Sequence, residues 1–155
     1  MIVRRRRGLL RGLARRLVGV AWEAPQTALG LAALGLAAAT GQVRALRWAR
    51  GRVFVESRRP VGVSLGHVVF YTAVDGPFVP VGAENVDHEY GHAVQSRRLG
   101  PLYLPVVGVA SVARVAFAVA HRAALGRRWA GYYAGFPESG ADRLGGVDAR
   151  RRPPP

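Results

Sequence analysis

The sequence predicts an α+β chain: a small antiparallel sheet followed by helices, with an apolar membrane-type helix ahead of both. Three observations lead there. Residues 52–71 carry β-branched and aromatic runs punctuated by glycine and proline. Residues 84–99 have charged helix ends around His88-Glu89-Tyr90-Gly91-His92, and residues 17–41 are mainly apolar.

Taken in order, residues 1–16 hold seven arginines among leucines and glycines and read as a basic flank. Residues 17–43 follow as an apolar, membrane-associated helix with a kink at Pro25. Its uninterrupted part, Thr27 to Thr40, is shorter than the roughly 20 residues of a simple span, and Leu17 to Trp22 make up the length. A membrane or re-entrant helix, a buried core helix and a secretory signal all remain open here. Arginines 44, 47, 50, 52, 58 and 59 lie on the far side, so charge does not orient the segment, and a hairpin-like insertion keeps both basic flanks at one face.

Residues 44–147 form the expected functional domain. Arg52 to Ser57 reads as a strand, and Val61 to Gly66 leads into a second run, His67 to Tyr71, the expected sheet edge. Asp75-Gly76-Pro77 marks a turn. The next helix spans about 84–99: Glu84, Asn85 and Asp87 suit its N-terminus, Arg97 and Arg98 suit its last turn, and Gly100-Pro101 stops it. Gly91 in mid-helix predicts close approach of a neighbouring element. Leu102 to Ala120 is a second apolar run, equally a core or a membrane helix, in which Arg114 must face protein or water. Residues 148–155 read as a disordered Arg/Pro tail.

His88 and His92 lie one helical turn apart on one face, so both imidazoles reach a single metal ion, and Glu89 falls beside it. A catalytic zinc ion (Zn2+) takes three protein ligands and keeps a fourth position for water. Glu138 and Asp142, again four apart and behind Pro137, offer one carboxylate for the metal and one to orient a liganding imidazole. His67, His121 and Glu84 compete with Glu138 as third ligand.

Composition bounds the alternatives. At 155 residues the chain holds one core, and without cysteine it has neither disulfides nor thiolate metal sites. The net charge of +14 comes from 23 basic residues, all arginine, which reflects codon bias better than phosphate recognition. No helix-turn-helix, zinc-knuckle or aromatic-interleaved pattern is present, so no nucleic-acid partner is expected, and anionic lipid head groups suit the arginines better.

The H-E-x-x-H followed by E-x-x-x-D resembles the gluzincin metallopeptidases. The run His88-Glu89-Tyr90-Gly91-His92-Ala93-Val94-Gln95-Ser96, with Leu99-Gly100-Pro101-Leu102-Tyr103 and Ala141-Asp142-Arg143-Leu144-Gly145, is similar to a family of small, mostly uncharacterised bacterial membrane-associated zincins. The stretch from Trp22-Glu23-Ala24-Pro25-Gln26 to Leu29-Gly30-Leu31 also resembles that family's apolar N-terminal segment, and the resemblance covers about residues 20–147. It implies a zincin-like fold, His88, His92 and Glu138 on zinc, Glu89 as general base and Asp142 behind a ligand. It further implies hydrolysis of a peptide or protein substrate paired with a sheet edge, at the bacterial inner membrane. Tyr132, Tyr133 and His121 are the candidates for stabilising the oxyanion. The alternative from another class is a membrane-associated zinc-binding scaffold without turnover, against which Glu89 argues, since a structural site needs no base.

Overall fold

A computed structural model describes residue 19, residues 21–77 and residues 85–147. The basic flank 1–16 and the tail 148–155 lie outside the described residues. The elements run α1 (Ala24–Ala39), β1 (Val43–Ala49), β2 (Arg52–Ser57), β3 (Val63–Leu65), β4 (Val68–Tyr71), α2 (Asn85–Leu99), α3 (Val109–Leu125) and α4 (Glu138–Gly145). A 3-10 turn (Gly100–Leu102) and a π-helical turn (Leu104–Gly108) join α2 to α3. Among the described residues the class is α+β, with four α-helices and one small sheet.

That sheet is mixed, which corrects the antiparallel expectation. Its order is β1-β2-β4-β3, with β2 and β4 parallel and the outer pairs antiparallel. The segment 58–62 is long enough to carry the chain past one strand position. The β3–β4 hairpin, turning at Gly66 (φ 59°) and His67, then brings β4 back beside β2. The edge expected at His67 to Tyr71 is therefore interior, and β3 takes the edge. β1 was not anticipated: its turn is Arg50-Gly51, both residues at positive φ (51° and 74°), the backbone of a two-residue hairpin more often built from Asn-Gly.

Alternation along the strands builds two cores. Phe54 and Val69 face α2, packing on Ala93 with Val86 and Tyr90. Their neighbours Val55, Val68 and Phe70 point the other way, onto Ala33, Leu34 and Ala37 of α1. Gly30 sets α1 down close on the sheet, where a β-carbon would press on Val68 and the Leu65 carbonyl.

α2 begins and ends near its predicted limits. Gly100 takes the left-handed conformation (φ 53°) ahead of Pro101. Asn85 Oδ1 accepts the Thr72 backbone N–H at 2.9 Å, tying the start of α2 to the end of β4. The helix breaks at Glu23, just ahead of Pro25 in the first turn of α1, where the kink is expected. At that break the Glu23 carboxylate is drawn inside, paired with Arg52 at 3.2 Å and accepting Ser96 Oγ–H at 2.6 Å.

The π turn and α3 form one continuous helix, Leu104–Leu125, whose 22 residues are long and apolar enough to cross a membrane; α1, at 16 residues, is shorter. Along α3, Val109 (65%), Val112 (69%) and Phe117 (52%) stand exposed. Arg114 is held by protein: it donates to the Gly131 and Tyr132 carbonyls and lies 4.7 Å from the Trp129 ring centroid.

Candidate metal centre

α2 and α4 build the centre between them. Two glycines bring their backbones together: a β-carbon on Gly91 would overlap the Ala141 carbonyl, and one on Gly145 would overlap that of Asp87. Glu138, the first residue of α4, is thereby set over His88 and His92 of α2. All three side chains are buried, and one ligand atom from each lies within 4.8 Å of the others, a group that can hold a metal ion.

The hydrogen bonds around them decide what the ligand atoms present. His88 Nδ1 lies 2.6 Å from Asp142 Oδ1, so Nδ1 carries a proton and donates it. Gln95 donates from Nε2 to the Pro137 carbonyl at 3.0 Å, which turns its Oε1 toward His92 Nδ1 at 2.8 Å. His92 is thus also protonated on Nδ1. In their neutral forms both rings aim the Nε2 lone pair at one carboxylate oxygen, Glu138 Oε2, at 3.0 and 3.1 Å. The other oxygen, Oε1, is occupied as acceptor of Ser111 Oγ–H. Three acceptors converging on one point repel one another unless a cation sits among them or the rings gain second protons. Two imidazoles and one carboxylate are a donor set zinc accepts.

Without such a cation the proton takes its place. Burial opposes charge on His88, but the hydrogen bonds to Asp142 and Glu138 outweigh it and push its pKa up to about 9. Burial likewise opposes charge on Glu138, yet hydrogen bonds from His88 and His92 hold its carboxyl well below the usual range.

Glu89 stands beside the cluster and takes no part in it. Burial raises its pKa, only partly countered by His92 and His88, which leaves its carboxylate a better proton acceptor than one in water. Ser64 of β3 donates to the Glu89 backbone carbonyl and lies 3.5 Å from Oε2, while Gly62 gives Oε1 room that a β-carbon would take. Tyr103 in turn donates to the Ser64 carbonyl at 3.0 Å.

These groups form the floor of a cleft of about 650 Å³, open between the Pro60–Leu65 stretch on one side and the start of α3 on the other. Tyr132 and Tyr133 also line it, the latter edge-on to His88 with ring centroids 5.2 Å apart. Burial pushes the Tyr132 hydroxyl well above its ordinary pKa, keeping it a donor.

The structure thus brings together His88, His92, Glu138, Glu89 and Asp142. It does not bring the competing histidines: His67 bonds Thr27 of α1 at 3.2 Å, and His121 donates from Nδ1 to the Arg127 carbonyl at 3.1 Å. His121 is therefore no oxyanion partner either, and Glu84 lies outside the described residues. Sequence reasoning assigned no role to Gln95, Ser111 or Ser64. Gln95 had a signal, sitting three residues after His92 on the same helical face; Ser111 had only its polarity within an apolar run. No family model matches the chain, and neither a curated protein nor a solved structure shows similarity to it.

Proposed function

We propose that this chain is a zinc-dependent metallopeptidase that hydrolyses peptide bonds at a membrane surface. The observation carrying that reading is the convergence of two tautomer-fixed Nε2 atoms on Glu138 Oε2, beside a raised carboxylate at the floor of an open cleft. His88, His92 and Glu138 would hold the ion. When bound, zinc supplies Lewis acidity toward a carbonyl oxygen and acidifies water to a pKa of about 7.

The remaining chemistry belongs to the protein. Glu89 takes the proton of the attacking water and returns it to the leaving amine, and its raised pKa suits both transfers. Asp142 and Gln95 hold the two rings in the tautomer that turns Nε2 inward. Tyr132 and Tyr133 are the donors within the cleft for charge developing on the scissile carbonyl. The edge strand β3 lies along the cleft beside Glu89, where an extended peptide can pair with it.

Membrane association rests on Leu104–Leu125 with its uncovered apolar face, and on the arginine-rich composition, which suits anionic head groups. The zincin resemblance agrees with this reading on its motif residues.

The test uses full-length protein in detergent. Elemental analysis should give one zinc per chain, and Glu89→Gln should keep the zinc and lose hydrolysis of an unstructured protein substrate. A Glu89→Gln variant that hydrolyses at the parent rate refutes the role of the base. A zinc-loaded parent with no hydrolysis leaves the scaffold reading instead.

A further inference from the structure

The cleft walls carry information about what enters that the metal centre does not use. Among the described residues, its ionisable lining consists of His88, Glu89, His92, Glu138 and three tyrosines; no arginine lines it, in a chain with 23 basic residues. Among the described lining residues, charge on a substrate side chain therefore finds no partner beyond the catalytic floor.

One wall of the cleft is apolar, formed by Leu104, Val109, Val112 and Val115. On β3 the side chain turned to Glu89 is Ser64, whereas Val61 and Val63 pack on the α1 face of the sheet. The apolar wall does not stop at the cleft rim. Val109 (65% exposed), Val112 (69%) and Val115 (41%) belong also to the uncovered face of the long apolar helix. One helix thus presents a continuous apolar surface from the outside of the molecule to the catalytic floor. The same helix reaches the centre itself, since Ser111, between those valines, donates to Glu138 Oε1.

We infer that the cleft takes an apolar, extended segment of a membrane-borne chain, admitted over the Val109–Val112–Val115 wall and laid against β3. This rests on the peptidase reading above and names its substrate class. Apolar side chains flanking the scissile bond replace water on that wall, whereas charged ones would be desolvated there without compensation.

Binding tests this apart from turnover. The zinc-loaded Glu89→Gln variant, full length in one detergent, is titrated by fluorescence anisotropy with two fluorescein-labelled peptides. One has a central run of Leu, Val and Ala, the other Asn, Thr and Ser at the same positions. The apolar peptide should bind tighter by on the order of tenfold or more. Val109→Asn/Val112→Asn, which changes exposed positions only, should remove most of that preference with zinc content unchanged. The apolar peptide carried by a lipid anchor on phosphatidylcholine vesicles should be captured more tightly than the free one. Equal affinity for the two peptides, a preference that survives the double variant, or no gain from the anchor overturns the inference. If the parent binds the apolar peptide with this preference yet leaves it uncut, the substrate class stands and the peptidase reading fails.

Discussion

Gly91 of α2 lies directly against the backbone carbonyl of Ala141 of α4, with no room between them for a β-carbon. A glycine in mid-helix weakens the helix by about 1 kcal/mol relative to alanine, and here it is what lets Glu138 reach the two histidines. Gly91→Ala should therefore destabilise the protein despite the better helix former. Overpacking of this kind costs about 1–3 kcal/mol, and its relief would push α4 outward. A lower melting temperature together with reduced zinc content checks this; a raised melting temperature at full zinc occupancy would show that the two helices need no such contact.

The ligand set and its support should separate by magnitude. Glu138→Ala removes a ligand, and zinc should no longer copurify. Asp142→Asn keeps the side-chain shape but can present its amide to His88 Nδ1, releasing the tautomer that turns Nε2 inward. Zinc affinity should drop on the order of 10- to 100-fold, measured by competition with a chelator of known strength. Gln95→Leu should act similarly through His92. Full zinc content in Glu138→Ala would remove that residue from the ligand set.

Zinc binding should release protons. His88, with its pKa raised to about 9, stabilises the zinc-stripped fold by a contribution fully present below its unfolded value of roughly 6.5 and lost as pH rises through 9. Glu138, shifted downward, contributes stability present above its unfolded value and lost only on strong acidification. Below about pH 9 the incoming ion must therefore displace the His88 proton. Apparent zinc affinity should rise about tenfold per pH unit from neutral pH toward 9 and then level off. Calorimetry near neutral pH, in buffers of different ionisation heat, should count about one proton released; none released would contradict the protonated state of His88.

How much of this was written in the residues depends on how local the signal is. α2 was legible because its determinants are sequential: acids first, arginines last, then Gly100-Pro101. Glu138 and Asp142 were legible because four-residue spacing puts them on one face of a helix. β1 was hidden since its arginines read as a cationic flank and its turn uses Arg50, held at positive φ with its guanidinium on Asp87 (2.9 Å) and over Tyr90. The parallel pairing of β2 with β4 depends on which strand fills the gap, which no spacing encodes. Ser111 was illegible for the same reason: its role exists only once the fold brings it to Glu138 at the start of α4. Arg114 was half legible, with the need for a partner readable and the Gly131 and Tyr132 carbonyls not.

Arg52 is the least expected buried residue, and its partners make it a girder between three elements. It pairs with Glu23 ahead of α1 at 3.2 and 3.3 Å, donates to the Ala93 carbonyl of α2 at 2.8 Å, and donates to the Gly66 carbonyl in the hairpin. Both partners of the pair are almost fully buried. Removing Glu23 alone strands a guanidinium inside the protein, so Glu23→Ala should cost about 3–5 kcal/mol in urea unfolding. Arg52→Met leaves Glu23 with Ser96 as a donor and removes the bonds to the Gly66 and Ala93 carbonyls, so it too should destabilise. The double variant Glu23→Ala/Arg52→Met should cost clearly less than the sum of the single ones, because neither charge is then left alone. Additive losses would mean that the two groups do not sense each other, and that α1 is anchored by its apolar face on the sheet.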